Sequence, residues 1–308
     1  MKFSFRIYKE SVISKLKENL QETDVKLLRN PKNNGVEKEG ILLRDKSMTI
    51  SPIIYIDDFK NVYDDDDVTR FVENAIHSYK ETVQCDKERM GDIQCWEKVK
   101  DKVRPRVISY ERNKEQLKDG IPFVKLLDLA VTFVLPTRGI LPEYEEGTIR
   151  VNDSLMKAWN IDEEFLYQKA IENMEKDGYE FVKLGSVLKD HLPGDEGILQ
   201  LLTCYEGVGG AVTILSKKIL KEVCQQMKCD QIYLLPSSIH ELLILDANEN
   251  QVHVLQRVVR DVNSNFLEAE DFLSDEVYEY DNRTCELKIA EVMENIDANE
   301  CLQIGNIA

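Results

Sequence analysis

The chain has 308 residues, 43% of them hydrophobic, and its 57 acidic against 40 basic residues leave a formal net charge of −17. This length suits two ordinary domains or one large α+β body with a substantial core. The negative charge opposes nonspecific binding to nucleic acid and to anionic lipid. We therefore expect no direct nucleic-acid binding and no membrane partner.

Targeting and metal-binding signals are also weak. The first residues, MKFSFRIYKESVISKLKENL, carry charges every few positions and lack the apolar run of a signal peptide. No segment approaches the roughly 20 apolar residues of a membrane span. The seven cysteines have irregular spacings without a CxxC, and the chain has only four histidines. We expect a cytoplasmic protein with reduced, mostly buried thiols and with no metal or cofactor.

Apolar periodicity predicts the elements of the first half. We expect helices over residues 10–20, 68–82 and 92–102, and three strands between residues 25 and 59. The acidic run Asp64 to Asp67 suits a helix start, and it lacks the glycine and glutamate of an EF-hand. The segment PFVKLLDLAVTFVLP predicts one central strand buried on both faces. The following loop, TRGILPEYEEGT, is the best position for a domain boundary.

The second half predicts a similar mixture. A strand at residues 148–151 precedes two helices, the first capped by Asn152 or Asp153 and the second by Asp162. Further on, the segments YEFVKLGSVL and GILQLLTCYEG form a strand pair, and QIYLLPSSIHELLILDAN reads as strand, turn and strand. The remaining expected elements are a helix after Gly209 and Gly210, helices at 250–262 and 268–273, a strand EVYEYDNRTCELKIA with an Asp-Asn turn, and a frayed tail from about Met293.

These elements predict an α+β fold with mixed or antiparallel sheets and packed helices. The chain forms either one body or two lobes. In the second case an N-terminal lobe covers residues 1–140, a C-terminal lobe covers 146–290, and a tail covers 291–308.

The hexapeptide PSSIHE, residues 236 to 241, is the most distinctive candidate site. On an extended backbone Ser238 and His240 share a face, which allows a nucleophile and a base, with Glu241 or Asp246 as the acid. The alternative is a turn between antiparallel strands whose serine hydroxyls bond to turn backbone groups. The glycines of an esterase elbow and the second histidine of a zinc-protease motif are both missing.

Two other features have a functional and a structural interpretation. The segment GVGGAV, residues 207 to 212, lies between a strand and a helix, as a phosphate-binding turn would. It lacks the full GxGxxG pattern and the P-loop lysine, so a plain glycine turn is the alternative. Trp96 and Trp159 fall in helical segments, where packing between helices is the expected use.

Several segments together resemble a known family. They are GGAVTILSKKILKEVCQQMKCDQIYLLPSSIHELLIL, VVRDVNSNFLEAEDFLSDEVYEYDNRT, SPIIYIDDFKNVY, VISYERNKEQLKDGIPFVKLLDLAVTF and TIRVNDSLMKAWNIDEEFLYQKAIENM. They resemble an uncharacterised clostridial family, number 5688 of the domains of unknown function. The resemblance covers about residues 45–285, and PSSIHE is its most specific element. It implies a single architecture and no particular reaction.

Three functions follow as hypotheses. The leading one is a noncatalytic protein that binds another protein in a regulatory role, because no complete catalytic set is evident. The second is a hydrolase with Ser238 as nucleophile, His240 as base and an acid such as Glu241. The third is an acidic mimic of nucleic acid, although the acidic residues are scattered among lysines rather than patterned.

Overall fold

The computed structural model describes residues 2–45, 51–58, 60, 62–138, 147–183, 199–205 and 209–291, without the side chains of residues 85–90 and 249. Within these ranges helices pack against three antiparallel sheets, which confirms the predicted α+β fold. The predicted tail and most of the predicted boundary loop lie outside the described residues. In the described part of the chain no helix is long and apolar enough to cross a membrane.

The N-terminal part is a three-stranded sheet packed against two helices. Its elements in chain order are helix α1 (Phe5–Asn19), strands β1 (Asp24–Pro31), β2 (Glu37–Arg44) and β3 (Ile53–Tyr55), and helix α2 (Asp65–Ile93). The three predicted strands are confirmed. Both helices are longer than predicted. In α1 the buried side chains Tyr8, Val12 and Leu16 recur every four residues, so the apolar face begins before residue 10.

The acidic run forms the start of α2. Asp64 accepts hydrogen bonds from the main-chain N–H groups of Asp66 and Asp67, at 3.1 and 3.0 Å, through Oδ1. In return, Asp67 Oδ2 accepts from the main-chain N–H of Asp64 at 3.1 Å, and Asp67 Oδ1 lies 2.5 Å from Lys60 Nζ. This reciprocal capping satisfies N–H groups that a helix start leaves without partners. The predicted helix-entry role of the run is therefore confirmed.

The middle sheet is built around one fully buried strand. Its strands are β4 (Arg104–Ser109), β5 (Val124–Leu126), β6 (Leu129–Pro136) and β7 (Thr148–Arg150). Strand β6 pairs with β4 along one edge and with β5 and β7 along the other. Every residue of β6 before Pro136 is buried. The predicted central strand is confirmed for this part of the segment.

The segment PFVKLLDLAVTFVLP, residues 122–136, is predicted to form one strand. Its first part forms the separate strand β5, so the prediction of a single strand is wrong there. The chain reverses at Leu127, with φ of 55°, and at Asp128. The Asp128 carboxylate accepts hydrogen bonds from the hydroxyls of Ser274, at 2.6 Å, and Tyr278, at 2.7 Å. These contacts from distant parts of the chain hold a turn without glycine or proline, so Asp128 is the one local turn signal in the segment.

Four further helices in the described ranges lie between α2 and the C-terminal sheet in chain order. They are α3 (Trp96–Val99), α4 (Tyr110–Leu117), α5 (Asp153–Trp159) and α6 (Glu163–Asp177). The predicted caps are confirmed, since Asn152 accepts from Leu155 N and Asp162 from Phe165 N. The helix predicted over residues 92–102 is wrong in extent. Helix α2 continues to Ile93, and the rest of the predicted range contains the four-residue helix α3. The two tryptophan rings pack together with centroids 5.4 Å apart, as predicted.

The C-terminal sheet has six strands in the order β13, β12, β10, β11, β9, β8. They are β8 (Tyr179–Lys183), β9 (Gln200–Cys204), β10 (Gln231–Pro236), β11 (Leu242–Asp246), β12 (Tyr278–Asp281) and β13 (Glu286–Ile289). The predicted pairs β8 with β9 and β10 with β11 are confirmed. Residues 184–198, which include the ends of two predicted strands, lie outside the described residues.

The helices of the C-terminal part differ in detail from the prediction. The segment after the glycine pair is divided into a 3₁₀ segment (Gly210–Leu215) and helix α7 (Lys217–Met227), because Ser216 caps α7 by accepting from Ile219 N. Helix α8 spans Val252–Phe266, one turn beyond the predicted end. The predicted short helix at 268–273 is a 3₁₀ turn (Ala269–Asp271), which we call the bridging turn.

A second 3₁₀ turn (Asn33–Gly35), at the tip of the β1–β2 hairpin, joins the three parts; we call it the asparagine turn. Asn34 and Asn113 of α4 exchange two hydrogen bonds, Asn34 N to Asn113 Oδ1 at 2.8 Å and Asn113 Nδ2 to Asn34 Oδ1 at 3.0 Å. Asn34 Nδ2 also donates to the carbonyls of Ala269 and Phe272. The asparagine turn is therefore fixed between α4 and the bridging turn.

The two largest hydrophobic cores of the described residues do not have the same extents as the predicted lobes. One core lies between the N-terminal sheet and helices α1 and α2. A larger core is shared by the middle and C-terminal sheets, with Phe133 and Leu234 among its fully buried members. The pairing of β6 with β7 crosses the predicted boundary after residue 140. The division into lobes of residues 1–140 and 146–290 stays a prediction.

Candidate functional site

The PSSIHE segment forms the turn between β10 and β11, with Pro236 opposite Leu242. We call residues 237–241 the serine turn. The buried Ser238 hydroxyl oxygen accepts from the main-chain N–H of His240 at 3.0 Å. The Ser237 hydroxyl donates to Glu241 Oε1 at 3.1 Å and lies 3.3 Å from the Glu241 carbonyl oxygen. Both serine hydroxyls therefore bond within the turn, as the structural interpretation of the sequence predicts.

The imidazole of His240 is engaged by a residue that the sequence did not indicate. His240 Nε2 lies 3.2 Å from Asp271 Oδ1 in the bridging turn, and the His240 side chain is 60% exposed. The main-chain N–H of Ile239 also donates to the Asp271 carbonyl at 2.9 Å. The structure thus places the Asp271 carboxylate beside the His240 imidazole. The Ser238 hydroxyl, in contrast, bonds to the main-chain N–H of His240.

The two acids considered from sequence have other partners. Glu241 accepts from Ser237, and Asp246 Oδ1 accepts from the main-chain N–H of Asn248 at 2.9 Å, which caps the 3₁₀ turn Ala247–Glu249. The acid next to His240 is Asp271, 31 residues further along the chain. Periodicity carries no information about a contact between two turns so far apart in sequence.

Gly209 and Gly210 allow the main chain to pack closely against the serine turn. A β-carbon on Gly210 would lie 2.2 Å from the His240 carbonyl oxygen and 1.8 Å from Thr203 Oγ1. Gly209 has φ of 96°, a conformation that favours glycine. The Thr203 hydroxyl donates to the His240 carbonyl at 2.9 Å, and the 3₁₀ segment that begins at Gly210 is buried throughout. These contacts support the plain glycine turn; residues 206–208 lie outside the described residues.

The described cysteines are Cys95, Cys204, Cys224, Cys229 and Cys285. None of the five is in a disulfide. Cys204 and Cys224 are buried and the other three are half-buried. Burial raises the pKa of the Cys224 thiol to about 12. Because the thiolate is the reactive form, burial keeps Cys224 in the unreactive thiol form at neutral pH.

Helix α8 packs against the C-terminal sheet through one face. Val259 is buried, and Val252 and Leu255 are half-buried, in a cluster with Tyr233 and Leu235. This is the ordinary use of the apolar face of an amphipathic helix.

The opposite and flanking surface of α8 is apolar as well. Val254, Val258 and Val262 are 45%, 49% and 41% exposed at a spacing of four residues, and Phe266 at the end of the helix is 84% exposed. We call these four residues the α8 stripe. Valine is a poorer helix former than alanine, lysine or glutamate, so helix formation does not explain three exposed valines. Contiguous exposed apolar surface marks interaction sites in many proteins.

The stripe could have been noticed in the sequence. Valine recurs at residues 254, 258 and 262, beside a second apolar set at 252, 255 and 259. One helix with two apolar faces can bury only one of them against a single sheet. The predicted end at residue 262 left out Phe266, and sequence alone does not tell which set faces the core.

Fold and geometry thus define an α+β protein with a hydrogen-bonded turn and an exposed apolar helix surface. Comparison with known families assigns it further. The model of a family of unknown function, DUF5688, matches residues 5–282. The chain therefore belongs to this family, and the match begins earlier than the predicted residue 45. No curated protein and no solved structure matches the chain. The clostridial origin stays a prediction.

Proposed function

We propose that this chain is a noncatalytic, regulatory protein that binds another protein through the α8 stripe. The exposure of Phe266 together with the three valines is the observation that carries the proposal. Burying a fully exposed valine or phenylalanine side chain contributes about 1.5–3 kcal/mol, and the half-exposed valines contribute a part of that each. Four such side chains on one helix surface offer a partner the apolar centre that a specific interface needs.

The dimensions and charges of this surface indicate the chemistry of the partner. From Val254 to Phe266 a helix rises about 18 Å, the length of a partner helix of three to four turns. Arg257 and Arg260 lie exposed on the same helix and outnumber its one exposed carboxylate, Asp261, within a chain of net charge −17. An amphipathic helix with apolar residues at four-residue spacing and acidic flanks complements this surface. A second copy of the chain would instead bring two strongly acidic bodies together.

Site-specific photocrosslinking in the native host tests the proposal. A benzophenone amino acid at Val258 is compared with the same group at Glu115, an exposed position on α4. We expect an adduct from position 258 whose attached segment is an amphipathic, acid-flanked helix, and we expect it to be lost when Val262→Glu is added. No adduct at 258, an equal adduct at 115, or a crosslink to a second copy of this chain would overturn the proposal.

A second candidate function is supported by the contact between His240 and Asp271. A histidine oriented by a carboxylate is the arrangement of a general base, and Ser238 lies two residues away. In this hypothesis Ser238 is the nucleophile, His240 the base and Asp271 the orienting acid, in place of Glu241 or Asp246. Labelling by a fluorophosphonate probe that disappears in Ser238→Ala would support a hydrolase, and no labelling of the wild type would exclude it.

A further inference from the structure

A cleft opens between the middle sheet, helix α4 and the asparagine turn. Its cavity volume is about 30 Å³, and it is partly open to solvent, so it offers room for one small group. The cleft is lined by Asn33, Arg106, Asn113, Gln116, Thr132 and Arg150, together with four apolar side chains. We call it the arginine cleft.

The sheet register places two arginines together in this cleft. Arg106 of β4 is opposite Thr132 of β6, and Arg150 of β7 is opposite Val134 of the same strand. Residues directly opposite in antiparallel pairs share a face, and Thr132 and Val134 are two apart on β6. Both guanidinium groups therefore project from one face of the sheet. Arg106 is half-buried and Arg150 is exposed at the mouth.

Polar atoms in the cleft have no partner among the described residues. Arg106 Nε and Asn33 Oδ1 are both buried without a hydrogen bond, and Asn33 is only 6% exposed. Within the same ranges no hydrogen bond or ion pair engages the guanidinium of Arg106 or of Arg150. Burial, and then the nearby charge of Arg150, lower the pKa of Arg106. Buried polar groups are nearly always satisfied by protein, water or a bound group, so these atoms mark a place where a polar ligand or a water would bind.

The nearest carboxylates are already engaged elsewhere. Glu270 and Asp271 of the bridging turn are close enough to act on Arg106 electrostatically. Glu270 Oε2, however, lies 2.6 Å from Lys38 Nζ, and Asp271 Oδ1 faces His240. The cleft therefore keeps two cationic groups without a bonded counter-charge in a protein that has a large excess of acid.

We propose that the arginine cleft binds a small oxyanion, namely a phosphate group. Guanidinium groups present N–H donors in a planar fork that matches the oxygens of phosphate. Arg106 binds the anion at the base of the cleft, Arg150 binds it at the mouth, and Asn33 Oδ1 accepts a hydrogen bond from a protonated oxygen of the anion or from a water beside it. The bound anion connects β4, β7 and the asparagine turn.

Calorimetric titration and thermal unfolding of the full chain test this site. Inorganic phosphate and glycerol 3-phosphate are the two probes, with sodium chloride at matched ionic strength as the reference. We expect saturable binding of both probes and a rise in melting temperature of several degrees, since a ligand that binds only the folded state stabilises it. Binding of glycerol 3-phosphate alone would identify the ligand as an ester and support the site equally.

Three variants make the test specific. Arg106→Gln and Arg150→Gln should each reduce the affinity at least tenfold, and Arg6→Gln on α1, whose side chain is 86% exposed, should leave it unchanged. Arg150 is exposed, so its variant should fold even if Arg106→Gln does not. The proposal is overturned if neither probe binds the wild type more strongly than chloride does, or if Arg150→Gln binds as well as the wild type.

Discussion

Gly210 and His240 are in main-chain contact, so close that a β-carbon on Gly210 would lie 2.2 Å from the His240 carbonyl oxygen. The same carbonyl accepts from the Thr203 hydroxyl, and the main-chain N–H of Ala211 donates to the neighbouring Ile239 carbonyl at 3.3 Å. The serine turn is thus held from three sides: by β9, by the 3₁₀ segment after the glycine pair, and by Asp271. Its shape depends on contacts from distant parts of the chain.

Gly210→Ala should destabilise the protein because the added methyl group collides with main-chain and Thr203 atoms. Forcing an extra carbon into a packed site costs about 1–3 kcal/mol or more in the free energy of unfolding. Gly91→Ala is the matched control, since a β-carbon there meets nothing within 4 Å. In helix α2 that change should stabilise by about 0.5–1 kcal/mol. Urea denaturation measures both, and equal effects would contradict the proposed contact.

Ser238→Ala and His240→Ala should differ in their cost to stability. The first change removes the acceptor of the His240 N–H in a buried position, which costs about 1–3 kcal/mol. The second removes an exposed pair with Asp271, worth about 0–1 kcal/mol. Thermal unfolding with circular dichroism compares the two variants. A larger loss for His240→Ala would mean that the imidazole, rather than the Ser238 hydroxyl, holds the turn.

Asn113→Ala should loosen the asparagine turn. Asn113 is buried, and its amide exchanges two hydrogen bonds with Asn34 and donates a third to the Ser109 carbonyl. Leaving these groups unsatisfied should lower the free energy of unfolding by about 1–3 kcal/mol. Asn265→Ala, which removes one bond on the exposed side of α8, should change it by less than about 0.5 kcal/mol. Equal losses in denaturant titrations would count against the joining role of Asn113.

Arg106→Met should stabilise the protein in phosphate-free buffer. It replaces a half-buried cation without a bonded partner by an apolar side chain, and replacing buried ionic groups in this way gains about 1–4 kcal/mol in favourable cases. Arg104→Met, on the same strand, is the control. Arg104 forms a half-buried ion pair with Asp177, so its loss should destabilise. If both changes destabilise alike in thermal unfolding, Arg106 is a structural residue.

Elements with a local signal were predictable from sequence. Asn152 and Asp162 mark helix starts, and the apolar run of β6 marks a central strand, because caps and periodicity act over a few residues. The turn at Leu127 was missed because Asp128 is held by Ser274 and Tyr278 from the C-terminal part. The contact of His240 with Asp271 was missed for the same reason.

The α8 stripe and the arginine cleft were not predictable, because each is defined by how distant elements pack together. The α8 stripe consists of valines that the sequence presents beside a second apolar set, and only the packing of Val259 on the C-terminal sheet shows which set stays outside. The arginine cleft needs the pairing of β6 with both β4 and β7 to bring Arg106 and Arg150 together. Their spacing along the chain gives no sign of it.

The most direct test of the proposed function is the affinity of the crosslinked partner segment, as a synthetic peptide, for the wild-type chain and for Val262→Glu, measured by titration calorimetry. An apolar stripe on a helix that also carries exposed arginines predicts at least a tenfold loss of affinity in the variant, with unchanged melting temperature, and weaker wild-type binding at higher salt. Equal affinity of the peptide for the two proteins would contradict binding through α8.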